Sequence, residues 1–112
     1  DKKISYYASL TFEELTSNIV EFGFPKNKSS NPMIDCRVVY SNNTLVLRLR
    51  DNCPQYDVTK YIAEVTDENS DPTRNIGTRL ISKIATDITY FNTFDTNSMI
   101  IRFDLNNMVM KV

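Results

Sequence analysis

From Thr44 to Arg50 the chain reads Thr-Leu-Val-Leu-Arg-Leu-Arg, with Leu45, Leu47 and Leu49 at every second position and Arg48 and Arg50 between them. Side chains on a strand alternate between faces, so this period puts leucine on one face and arginine on the other. Such a strand needs a second layer to cover its leucines. A second β-rich run, Ile34 to Tyr40, precedes it across Ser41-Asn42-Asn43, and the pair reads as a hairpin.

Helical periods supply the covering layer. Between Thr11 and Phe22, with a start at or before Thr11, Phe12, Leu15, Ile19 and Phe22 recur at helical spacing, and Gly23 with Pro25 closes the segment. Residues 26–33 are polar, contain Pro32 and read as a loop. Val58 to Glu64 reads as a short helix directing Val58 and Ile62 inward. Thr66 to Arg74 is acidic and polar, contains Pro72, and is expected to be a mobile loop. Gly77 to Thr86 sets Leu80, Ile81, Ile84 and Ala85 on one helical face. Ile88 to Phe91 and Met99 to Phe103 read as strands joined by a turn at Asp95 to Ser98, and Met108 to Val112 as a final edge strand. This order implies one α+β domain over residues 1–112, a two-layer sandwich with a mixed, mostly antiparallel sheet and helices on one face.

Composition removes several function classes. With 13 basic and 14 acidic residues and no basic run, nothing favours a nucleic-acid backbone. No apolar run is long enough to cross a bilayer, so no direct membrane insertion is expected. The absence of histidine excludes classical triads, imidazole bases and most zinc sites. Two cysteines, Cys36 and Cys53, are too few for a disulfide scaffold and suit free thiols in a reducing, cytoplasmic compartment. The six tyrosines are scattered along the chain and read as core residues rather than a stacking platform. The chain opens on Asp1 rather than methionine, which points to a piece of a longer protein.

Three segments carry candidate chemistry. Glu14 and Asn18 lie one helical turn apart, a spacing that aims a carboxylate and a carboxamide into one cleft. An amide oxygen is a hard ligand for Mg²⁺, and a nearby carboxylate can orient or deprotonate a nucleophile. The plainer account is a capping box at Thr11-x-x-Glu14. Asp51 ends the leucine strand where a carboxylate can form a pocket floor and accept a hydrogen bond from an exocyclic amine; the plainer account is an ordinary Asp-Asn turn. Gly77 precedes a helix whose first turn offers free N–H groups to a phosphate, with Arg79 in the same turn; many loops end the same way.

Taken together, Phe12-Glu13-Glu14-Leu15-Thr16-Ser17-Asn18, Arg50-Asp51-Asn52-Cys53-Pro54-Gln55-Tyr56-Asp57 and Asn75-Ile76-Gly77-Thr78-Arg79-Leu80-Ile81 resemble, in order and spacing, the N, G1 and G2 boxes of the histidine-kinase-like ATPases (the GHKL superfamily). The likeness runs over residues 8–103 and is greatest to the anti-sigma-factor serine kinase branch. It implies ATP and Mg²⁺ as cofactors, Glu14 as the catalytic acid/base, and Asn18 as the magnesium ligand. It makes Asp51 the reader of adenine, with Cys53 beside it, and Gly77, Thr78, Arg79 and Leu80 the phosphate-contacting turn. Residues 58–76 would be the nucleotide lid.

The pattern departs from the family at two points. No glycine follows Asp51, Cys53 standing where the family has the first one, and Arg79 replaces the second glycine of the G2 box. Two functions therefore stay open: an ATP-binding domain that phosphorylates a serine or threonine of a protein partner, and a non-catalytic sensor or interaction module on the same fold. The amino-terminal strand and helix usual in the family have no counterpart here, so an exposed sheet edge is expected, open to artificial homodimerisation.

Overall fold

A computed structural model describes residues 2–27 and 31–106. Helix α1 (Lys2–Asn18) runs on through a wider turn at Ile19–Gly23 and a tighter one at Phe24–Lys26. Strands β1 (Ile34–Ser41) and β2 (Thr44–Asp51) follow, then helices α2 (Val58–Val65) and α3 (Ile76–Ile84), then strands β3 (Asp87–Thr93) and β4 (Thr96–Asp104). The final strand expected at Met108–Val112 lies outside the described residues.

The sheet has the order β1-β2-β4-β3, and every neighbouring pair is antiparallel. The fold is therefore α+β, and the expected mixed sheet is corrected to a purely antiparallel one among the described residues. Register lines up one face: Tyr40, Leu45 and Phe103; Val38, Leu47, Ile101 and Ile88; Cys36, Leu49, Met99 and Tyr90. Leu15 of α1, Val58 of α2 and Ile81 of α3 close over the β2 and β4 members of these rows in one buried cluster. Leu45, Leu47, Ile101 and Phe103 are fully inaccessible, and each buried side chain of this size contributes about 1.5–3 kcal/mol relative to exposure.

At the end of that face the rows turn polar, with Ile34, Asp51, Asn97 and Asn92 side by side. The candidate site is built on this end. β1, by contrast, is an edge strand exposed along nearly its whole length.

Both hairpins use two-residue turns with left-handed backbone at both positions, Asn42-Asn43 and Phe94-Asp95. This geometry matches the twist of the flanking strands. Asparagine accepts it readily, but a bulky Phe94 with φ of 52° does not announce a turn, and the expected turn at Asp95 to Ser98 is displaced for that reason. Asn97 and Ser98 instead belong to β4 and are buried.

α1 also begins earlier than the apolar period suggested. Ile4, Tyr7, Ala8, Thr11 and Leu15 extend the covering stripe toward the amino terminus, and Tyr7 stacks on Phe103 at 5.7 Å. Thr11 is thus a buried mid-helix residue, which rules out the capping-box account of Thr11 and Glu14.

Candidate functional site

Asp51 ends β2 at the polar edge of the core, 6 % exposed. Its Oδ1 accepts the Cys53 N–H at 2.9 Å, closing an Asx turn, and an N–H from Asn97 Nδ2 at 2.9 Å. The plain turn role and a held carboxylate are therefore realised by the same atom.

Asn97 is the hub of this end of the sheet. Its Nδ2 also donates to the carbonyls of Cys53 and Pro54, at 3.0 and 3.1 Å. Its Oδ1 accepts from the Tyr90 hydroxyl at 2.6 Å and from Asn92 Nδ2 at 3.1 Å. The Tyr90 oxygen accepts the Tyr56 N–H at 3.1 Å, tying the segment after β2 to β3. Nothing in sequence spacing singled out Asn97, because it was assigned to a turn and its partners come from other strands.

In front of Asp51 lies a cavity of about 100 Å³ whose walls include Asn18, Phe22, Cys53, Tyr56 and Tyr61. Tyr90 and Asn97 contribute to it as well, so tyrosines scattered in sequence share one concave surface in three dimensions. Phe22 and Tyr56 both pack beside Tyr61, with ring centroids 6.5 and 6.1 Å away. Burial, with the neighbouring Tyr61 and Glu64, pushes the Tyr56 phenol up to about 12. Asn18 brings an enclosed Nδ2 with no hydrogen-bond partner, a buried donor left without an acceptor.

The Cys53 side chain packs against a glycine. A Cβ at Gly23 would stand 3.0 Å from the Cys53 sulfur, so the turn after β2 seats its thiol against the end of α1 only because Gly23 is bare. Burial raises the Cys53 thiol's pKa, and the Asp51 carboxylate adds to the shift. Asn52 faces the other way. It accepts from Asn27 Nδ2 and the Met33 N–H, both at 2.9 Å, and donates to the Asn31 carbonyl at 2.8 Å, holding the flanking segments together.

Glu14 does not line the cavity, contrary to the expectation that it shares a cleft with Asn18. Its Oε1 accepts the Thr78 hydroxyl at 2.8 Å, and a Cβ at Gly77 would overlap its carboxylate. The acid of the first segment thus rests on the first turn of α3, where free N–H groups and the helix dipole favour an anion. Tyr61 stands between the two groups: it lines the cavity and donates to Asn75 Oδ1 at 3.0 Å. Burial raises its phenol pKa, the Glu14 charge adds to this, and Thr78 opposes it.

The remaining expected residues point elsewhere. Arg79 spends its guanidinium on residues 70–74, donating to the Ser70 hydroxyl and the carbonyls of Asp71 and Arg74, each at 2.7 Å. Residues 66–74, expected as a mobile loop, form turns fastened by this clamp. Leu80 is half-buried outside the cavity. Asn18, Asp51 and Cys53 are thus brought to one cavity, Glu14, Gly77 and Thr78 to an adjoining contact, and Arg79 and Leu80 to neither.

Among the described residues, no cluster of three His, Cys, Asp or Glu side chains is arranged to hold a metal, and no helix is long and apolar enough to cross a membrane. Comparison with family models, curated proteins and solved structures gave no match.

Proposed function

We propose that this chain is a nucleotide-binding domain of the histidine-kinase-like ATPase type that takes an adenine nucleotide with Mg²⁺. The observation that carries the reading is Asp51: a buried carboxylate with Oδ1 held by Cys53 and Asn97, at the wall of an aromatic cavity. A held carboxylate beside an aromatic wall suits an exocyclic amine, and a base without that amine leaves the acceptor unpaired. The cavity is small beside the few hundred Å³ of ordinary ligand pockets, so it suits a base, with sugar and phosphates outside.

The residues present fit the rest of such a ligand. Asn18 is the candidate for the metal and phosphate side: its unpartnered Nδ2 suits a phosphate oxygen, its Oδ1 would be the Mg²⁺ ligand, and a Mg²⁺ held by one protein group would depend on phosphates and water for its other ligands. When bound, Mg-ATP would supply a transferable phosphoryl group and the charge that shields it. Glu14, released from Thr78, would accept the proton of a serine or threonine hydroxyl on a protein partner. Gly77 and Thr78 would face the phosphates at the first turn of α3, and Tyr61 would close the cavity against water. A buried Cys53 and a free Cys36 agree with a reducing, cytoplasmic setting.

A second reading has its own observation. With Glu14 already seated on Gly77 and Thr78, the first turn of α3 has an anion from the chain itself, which suits an interaction module without turnover.

Calorimetric titration of Mg-ATP separates the two, with Asp51→Asn and an inosine nucleotide as controls. Asparagine keeps an oxygen for Cys53 and Asn97 but offers the amine a weaker acceptor. Binding weakened at least about tenfold, or about 1.4 kcal/mol, by either control supports base reading through Asp51. No binding to the folded chain at millimolar nucleotide supports the interaction module.

A further inference from the structure

The free edge of β1 has the chemistry of a strand that pairs with itself. Ser41 and Thr44 flank a two-residue turn, so they form a hydrogen-bonded pair, and Ser41, Val39, Arg37 and Asp35 spend their backbone groups on β2. The groups of Tyr40, Val38, Cys36 and Ile34 then point outward from an edge that no described strand covers. Cys36, Val38 and Tyr40 lie on the leucine face, opposite Leu49, Leu47 and Leu45, yet all three are exposed. On the other face Arg37 stands directly opposite Arg48, a like-charge pair, and no described acid pairs with it, while Asp35 reaches Arg48 at 3.6 Å.

We propose that β1 pairs antiparallel with β1 of a second copy about a two-fold axis at Cys36. Only registers that bring the outward-pointing residues 34, 36, 38 and 40 against one another make ladder bonds. A register centred on Asp35 sets it against itself, and one centred on Arg37 does the same to the arginines. A register centred on Val38 faces Arg37 with Val39 and Asp35 with Ser41. Centred on Cys36, Asp35 of each copy faces Arg37 of the other, twice, and Ile34 faces Val38. The acid arrives on the open side of the arginine that β2 has crowded with Arg48. The two thiols then sit on a hydrogen-bonded pair with Cα atoms about 5.5 Å apart, within cross-linking reach. β1 contributes nothing to the cavity, so this pairing stands independently of the nucleotide reading.

A single strand edge is smaller than a standard interface, so a dissociation constant of about 10–100 µM is expected. Sedimentation equilibrium of the 112-residue chain under reducing conditions tests it. A concentration-dependent dimer is expected, weakened at least about tenfold in Arg37→Asp and recovered in Asp35→Arg/Arg37→Asp, which swaps both charges. A short bis-maleimide should link two copies through Cys36 in a Cys53→Ser background, with no charge altered. A monomer at about 1 mM chain, a dimer indifferent to Arg37→Asp, no recovery in a double variant that unfolds like the wild type, or no Cys36 cross-link where the dimer is populated would each overturn the proposal.

Discussion

Gly77 has an unusual reason to be glycine. It sits in the first turn of α3 with an unremarkable backbone, and the space for its missing Cβ is taken by the Glu14 carboxylate. Alanine is normally worth about 1 kcal/mol more than glycine inside a helix. Here the added methyl must displace a carboxylate hydrogen-bonded to Thr78, so Gly77→Ala is expected to destabilise by about 1–3 kcal/mol. Combined with Glu14→Ala, the same change should recover most of that loss, a non-additivity that urea unfolding of both single variants and the double would reveal. Asn97 teaches the complementary lesson. The sequence marked Asp51 as a candidate because it ends an alternating strand, but the side chain that fixes its Oδ1 lies 46 positions away and carries no local signature.

At the scale of elements, the short helix α2 depends on the residue just before it. Asp57 caps it, accepting the Thr59 N–H at 2.9 Å and the Thr59 hydroxyl at 2.5 Å. Asp57→Ala is expected to cost about 1 kcal/mol. The Thr59 bonds, led by the one from its side chain and aided by Lys60, hold the Asp57 carboxyl below its usual 3.8. A carboxyl with a depressed folded-state pKa stabilises the fold above its unfolded pKa, and that contribution fades as pH falls through the folded value. The urea midpoints of wild type and Asp57→Ala should therefore differ at pH 7 and converge as the pH falls below the usual carboxylate range. α2, α3 and the first hairpin were legible because apolar period, turn residues and breakers agree there. Of the second hairpin the strands were legible but not the turn, which uses Phe94, 96 % exposed, in a conformation bulky residues rarely adopt. The first half of α1 was hidden because its stripe runs through Ala8 and Thr11, which carry little hydrophobic signal.

For the molecule as a whole, the leucine alternation of β2 fixed the layering, since one inaccessible face needs three helices' worth of cover. What the sequence could not convey is how the three motifs divide between a cavity and a helix contact, because α1 presents Asn18 to one and Glu14 to the other. That division has a consequence for internal motion. α3 has nine residues and no side-chain cap at Asn75, too little to hold a helix by itself, and its first turn is latched by a residue 64 positions earlier. The backbone amides from Arg79 to Ser82 should therefore exchange with deuterium only as often as α1 lets go. In Glu14→Ala their exchange should quicken while the centres of β2 and β4 keep the wild-type rate, making α3 the first part of the fold to open and α1 the element that sets how often it does.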